Sequence, residues 1–135
     1  MSNIQSLIFI AMLFCHIVDD FCLQQFSLAR LKQKQWWQEN APDSLYKLDY
    51  TVALVVHGLS WAIMISIPLI VYVFINNIEN GMTYIVISIV INMFIHGIVD
   101  NLKANKHKIN LQIDQLIHLL QVWLTFVIFF MFISR

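Results

Sequence analysis

Residues 82–103 read MTYIVISIVINMFIHGIVDNLK. The first two-thirds of this stretch carry no charge, and the last third carries His96, Asp100 and Lys103. At 1.5 Å rise per residue it is long enough, as a helix, to cross a hydrocarbon core of about 30 Å. His96 and Asp100 stand four apart, so a helix presents them on one face. The same pairing recurs as His16 with Asp20 and, reversed, as Asp114 with His118. A fourth histidine, His57, lies in another apolar stretch. Ionisable groups inside a membrane span are costly and are candidates for function wherever they occur.

Working outward, four apolar stretches predict helices over residues 4–24, 50–75, 82–102 and 111–133. Composition agrees: 59% of the 135 residues are hydrophobic and only 12% are charged, where a soluble domain is nearer one-quarter charged. The expected architecture is all-α, a single integral-membrane four-helix bundle over residues 1–135, with the second and third connections short enough for antiparallel neighbours. The first connection, from Gln25 to Asp49, is polar, contains Pro42, and offers Trp36 and Trp37 as headgroup anchors. The N-terminal stretch lacks a positive leader and carries His16, Asp19 and Asp20, so it reads as a retained helix. Cys15 and Cys22, roughly 10 Å apart on one helix, cannot bridge each other and read as small apolar fillers.

Charge sets the expected orientation. Arg30, Lys32, Lys34 and Lys47 lie in the first connection and Lys103, Lys106 and Lys108 in the third; the second has none, and Arg135 ends the chain. The positive-inside rule then puts the first and third connections in the cytoplasm and both termini outside, in the inner membrane. Under that orientation His16, His57, His96 and His118 all fall at one depth, roughly 10–12 Å from the cytoplasmic ends. Asp20, Asp100 and Asp114 lie one turn nearer the cytoplasm. The other half of each span is uncharged, so the polar site reads as a cup open to the cytoplasm and closed beyond by an apolar plug. Phe14-Cys15-His16 with Asp20 echoes Phe94-Ile95-His96 with Asp100, a weak two-fold repeat broken where Ala53 stands opposite Asp114.

Imidazole and carboxylate together suit a divalent metal: zinc, manganese, iron or nickel. His16, Asp20, His57, His96, Asp100, Asp114 and His118 exceed the four ligands of one zinc and suffice for two ions with open positions. Two ions about 3.5–4 Å apart can activate water and stabilise the leaving oxygen of a phosphoester. Lys103 could hold a phosphate oxygen or only snorkel to the interface. Gln24, Asn92 and Gln115 could support the ligands, while Arg30, Lys34 and Lys106 could draw anions to the mouth. Asp19, about 100° from Asp20 on an α-helix, is expected to cap the helix or pair with a lysine, with a ligand role as the alternative, and His107 to be solvated. A hydrogen-bonded network without metal and a proton-handling ring are the other readings of the same residues. Zero net charge gives no reason to expect a nucleic-acid polymer as partner.

His16-Ile-Val-Asp-Asp20 with Gln24 and a lysine soon after, His57, His96-Gly-Ile-Val-Asp100-Asn-Leu-Lys103, and Asp114-Gln115-Leu-Ile-His118 follow one another in order. In this order they resemble the motifs of the domain-of-unknown-function family numbered 3307, small membrane proteins of bacteria and phages. The resemblance covers nearly the whole chain, implies site roles for Gln24, Lys103 and Gln115, and implies no activity. A looser likeness, of chemistry alone, is to membrane-bound metal-dependent hydrolases and to soluble helical zinc phospholipases and nucleases. The expected function is a membrane metal-dependent hydrolase acting on a phosphoester: a lipid head group, a lipid-linked phosphate or a nucleotide. Expected partners are membrane lipid and that phosphorylated substrate, with a homo-oligomer left open. The alternatives are a metal or proton transporter, which needs a polar path through the uncharged half, and a non-enzymatic phage or membrane protein with a structural metal.

Overall fold

Helix α1 (Asn3–Ile17) opens on a reciprocal cap, in which the Ser2 hydroxyl accepts from the Gln5 amide at 3.2 Å and Gln5 Oε1 accepts from the Ser2 amide at 2.8 Å. This is a computed structural model, and it describes residues 2–24 and 26–133. Beyond Ile17 the helix widens into a π-helical turn, Val18–Leu23. Two short helices follow, α2 (Phe26–Leu31) and α3 (Lys34–Asn40), then a 3₁₀ turn at Ser44–Tyr46. Three long helices complete the chain: α4 (Asp49–Asn76), α5 (Gly81–Ala104) and α6 (Leu111–Ile128), the last running into a π-helical turn at Phe129–Ile133. The described residues contain no strand. The polar connection read from the sequence is thus itself partly helical. Gln25, read as the edge of that connection, and Arg135, read as the last positive charge, lie outside the described residues.

Among the described residues four helical segments are long and apolar enough to cross a membrane: Asn3–Leu23, Ser44–Asn76, Gly81–Ala104 and Leu111–Phe132. Their outward faces are apolar, with Phe14, Val56, Val71, Phe74, Val86, Phe94, Ile98 and Leu116 all exposed. So much exposed apolar surface on every helix is unusual for a protein surrounded by water.

The turn from α4 to α5 is tight because two asparagines adopt left-handed backbone, Asn77 at φ 48° and Asn80 at φ 60°. α6 starts where the Asn110 side chain accepts from the Ile113 amide at 3.0 Å. α4 and α5 approach closely at Gly58, where a Cβ would stand 2.6 Å from the Met93 carbonyl oxygen. Small residues permit such backbone approach between apolar helices.

The interior divides in two. Toward the end bearing the α4–α5 turn, Ile8, Met12, Ile65, Leu69, Val73, Ile85, Val122, Phe126 and Phe129 form an apolar core. Toward the other end the buried side chains are polar: His16, Asp19, His57, His96, Asp100, Asp114 and His118. Trp61, fully buried, lies at the border between the two.

Candidate metal centre

α1 and its π-helical turn bring His16, Asp19 and Asp20 to the interior; α4 brings His57, α5 His96 and Asp100, and α6 Asp114 and His118. The structure therefore gathers all seven sequence-predicted ligand residues in one buried layer. His57 and His96 rings are 4.9 Å apart, and His96 and His118 stack at 3.9 Å. Trp61 stacks on His96 at 4.4 Å and forms the floor.

Four ligand atoms define a compact set. Asp20 Oδ1 is 3.4 Å from His57 Nε2 and 3.7 Å from His96 Nε2. Asp100 Oδ2 is 3.6 Å from His57 Nε2 and 3.9 Å from His96 Nε2. Ligands 2.0–2.1 Å from a tetrahedral zinc would lie about 3.3–3.4 Å from one another, at or a little under these four separations. The other carboxylate oxygen, Asp100 Oδ1, is 3.5 Å from His118 Nε2, which is 3.5 Å from Asp114 Oδ1. Two groups in which each residue offers an atom within 4.8 Å of the others, Asp20–His57–His96 and His96–Asp100–His118, could each hold a metal ion.

Several of the polar atoms that face this space make no hydrogen bond, although Asp100 Oδ2 accepts from Lys32. Among the described residues, His57 Nε2, His96 Nδ1 and Nε2, His118 Nε2, Asp114 Oδ1 and Asp19 Oδ2 are buried without a hydrogen bond. Buried polar groups are rarely left so, and here most of the orphans are lone pairs of metal-ligating type. The far side of one ring is engaged, His118 Nδ1 lying 3.0 Å from Gln121 Oε1, whereas His57 Nδ1 is 3.6 Å from Asp19 Oδ2, beyond hydrogen-bond distance. Such outer partners fix which nitrogen faces a metal. Gln121 is held in turn by Asn92 (3.2 Å), and Asn92 donates to Thr125 (2.8 Å).

His16 stands apart from the other three. Its Nδ1 accepts from Trp61 Nε1 at 2.9 Å and lies 3.6 Å from Asp20 Oδ2. A neutral imidazole accepting at Nδ1 carries its proton on Nε2, so no lone pair is left for an ion. His16 lies beside the compact set and not in it.

Asp19 departs from the expectation of a capping or lysine-paired residue. It is 1% exposed and accepts from Ser60 Oγ at 2.6 Å. The angle of about 100° between Asp19 and Asp20 presumes an α-helix, whereas the wider π-helical turn, with its i→i+5 bonds, lets both face inward. π-Helical turns of this kind concentrate at functional sites.

The cup is also not open. Lys32, only 3% exposed, reaches in from the end of α2 and donates to Asp100 Oδ2. Its backbone is clamped by Asn105, whose side chain donates to the Lys32 carbonyl (3.0 Å) and accepts from the Lys34 amide (2.7 Å). Gln24, with its amide oriented to satisfy both ends, donates to the Asp20 carbonyl (3.0 Å) and accepts from Lys32. Lys103 neither snorkels nor points away: it donates to Asp114 and lies 3.8 Å from Asp100 Oδ1. Gln115 bridges Asp20 (3.0 Å) and Asp114 (3.2 Å). Arg30, Lys34, Lys106 and His107 are exposed. The carboxylates, imidazoles and two lysines thus also form one buried ion-pair network.

Sequence reading missed Trp61, Ser60 and Gln121, and gave Lys32 only as the lysine that follows Gln24 in the motif order. Trp61 is four residues after His57 and Gln121 three after His118, so the helical spacing that found the ligands also points to both. No local pattern marks Lys32, whose place depends on α2 folding back. No protein-family model, curated protein or solved structure matches the chain.

Proposed function

We propose that this chain is an integral-membrane metal-dependent hydrolase of the inner membrane that acts on a phosphoester at its loop-end site. The observation carrying the reading is the Asp100 carboxylate lying between two sets of imidazole and carboxylate atoms, with neighbouring ligand atoms 3.4–3.9 Å apart. Asp20, His57, His96 and Asp100 would hold a first ion, and Asp100, Asp114 and His118 a second, with Asp100 common to both. Three protein ligands leave an open position on the second ion, the arrangement by which zinc enzymes hold a water or substrate. A metal there supplies a Lewis acid and a nucleophile made from water near neutral pH. Lys103 and Gln115, both on Asp114, would orient that carboxylate, and Gln24 would hold Lys32 and the Asp20 backbone. The cluster of positive charge in the first and third connections supports a cytoplasmic placement of this end.

A second reading, a metal that only clamps the four helices, is favoured by one fact: the first position has four protein ligands, as structural zinc sites do. A transporter would need polar groups through the other half, where Met12, Trp61, Ile65, Leu69 and Val122 are at most 1% exposed and pack against one another.

The test is metal content per chain by mass spectrometry on detergent-purified protein and on its His96→Ala variant. Metal near two per chain, reduced in the variant, with turnover of phosphoester substrates that depends on the metal, is the expected result. Metal without turnover of any phosphoester leaves the clamp; no metal in the wild-type protein removes both readings.

A further inference from the structure

The buried network can be counted. Four carboxylates, Asp19, Asp20, Asp100 and Asp114, and two ammonium groups, Lys32 and Lys103, meet around the histidines. With the imidazoles neutral, as ligands must be, these groups sum to two negative charges. One divalent ion brings the sum to zero. A second brings it to plus two, in an interior where uncompensated charge is costly. The positive excess is localised: Lys32 bonds one oxygen of Asp100 and Lys103 lies 3.8 Å from the other. Both therefore flank the carboxylate that would bridge the ions. A metal drawing on Asp100 leaves each ammonium less compensated and free to engage another oxygen.

We propose that the second metal ion and a phosphate-type oxyanion bind as a linked pair, the anion completing the open position between Lys32 and Lys103. This rests on the metallohydrolase reading and adds to it a rule for the site: one ion binds by itself, and the second binds with the anion. A dianion restores the sum to zero. Chloride, with one charge, would leave the sum at plus one. By linkage, the factor by which phosphate tightens the second metal equals the factor by which that metal tightens phosphate.

Cobalt(II) titration of the full chain in detergent tests this, with free metal held by a metal buffer and the visible bands reporting each ion. Without added anion, one ion binds tightly and the second weakly. Inorganic phosphate strengthens the second ion on the order of tenfold or more, within the usual range of coupling between sites, while chloride at equal ionic strength does not. In Lys32→Met or Lys103→Met the second ion binds more tightly without phosphate, and phosphate adds less, because a positive charge is gone. A merely structural lysine would weaken both ions instead. A second ion of equal affinity with and without phosphate overturns the linkage while leaving the metallohydrolase reading in place. No cobalt under any condition overturns that reading itself.

Discussion

Trp61 and His16 show how much turns on one hydrogen bond. The indole N–H is buried and donates to His16 Nδ1, and the same ring stacks on His96. Trp61→Phe keeps an aromatic floor and removes the donor. A buried acceptor left without its partner costs about 1–3 kcal/mol, so unfolding in detergent shifts to lower denaturant by that amount while metal content is unchanged. A variant that loses metal would instead make His16 a ligand whose ring Trp61 aims. Asp100→Asn separates the two ion positions: the first keeps Asp20, His57 and His96, while the second loses its charged bridge. With phosphate present, metal per chain should fall from about two to about one by mass spectrometry, and an unchanged value would remove Asp100 as the bridge. At this scale six of the seven ligand candidates were legible because residues four apart share a helix face, and His57 because it is a histidine in an apolar stretch. Asp19 was not, because that rule presumes an unbroken α-helix and the chain widens just there. Lys32 was not, because its partner Asp100 is 68 residues away.

At the scale of elements, the site depends on how closely α4 and α5 lie. His57 directly precedes Gly58, and His96 directly precedes Gly97. A methyl group at Gly58 would meet the Met93 carbonyl at 2.6 Å, a backbone atom that cannot turn aside. At Gly97 the nearest atom would be the Leu54 carbonyl oxygen at 3.5 Å, an ordinary contact. Gly58→Ala therefore forces the helices apart, a crowding that costs about 1–3 kcal/mol, and spreads the His57 and His96 nitrogens that face Asp20 and Asp100. Metal affinity should drop in Gly58→Ala and stay near wild type in Gly97→Ala, as read by competition with a coloured chelator. Equal behaviour of the two variants would mean that the helix approach does not set the ligand spacing. The helices were legible from hydropathy, and the α4–α5 turn from its run of asparagines. The fold of the first connection was not: it lacks a long apolar period, and α2 and α3 are held by tertiary bonds such as Trp37 Nε1 to the Leu31 carbonyl at 2.8 Å.

The whole molecule is two cores in one bundle. One half packs apolar side chains and needs no ligand to be satisfied. The other buries four carboxylates and four imidazoles, several of whose atoms find no protein partner. A metal that binds the folded chain and not the unfolded one stabilises it by an amount that grows with concentration, about 4 kcal/mol at a thousand times the dissociation constant. That gain falls on the polar half, because only there are ligand atoms tied across α1, α4, α5 and α6. Removing metal with a chelator should therefore loosen the bundle unevenly. Hydrogen exchange should quicken in residues 16–24, 54–58, 96–104 and 111–118, where opening no longer requires an ion to leave. Residues 61–73, 85–91 and 122–129 should keep their protection, since Trp61, Ile65, Ile85 and Phe129 remain packed. Local openings of this kind follow the local density of satisfied contacts and not the global stability alone. Exchange that quickens equally in both halves would mean that the two cores unfold as one unit and that the metal supports the entire bundle. No change on chelation would mean that the carboxylates are balanced by Lys32, Lys103 and protons without an ion.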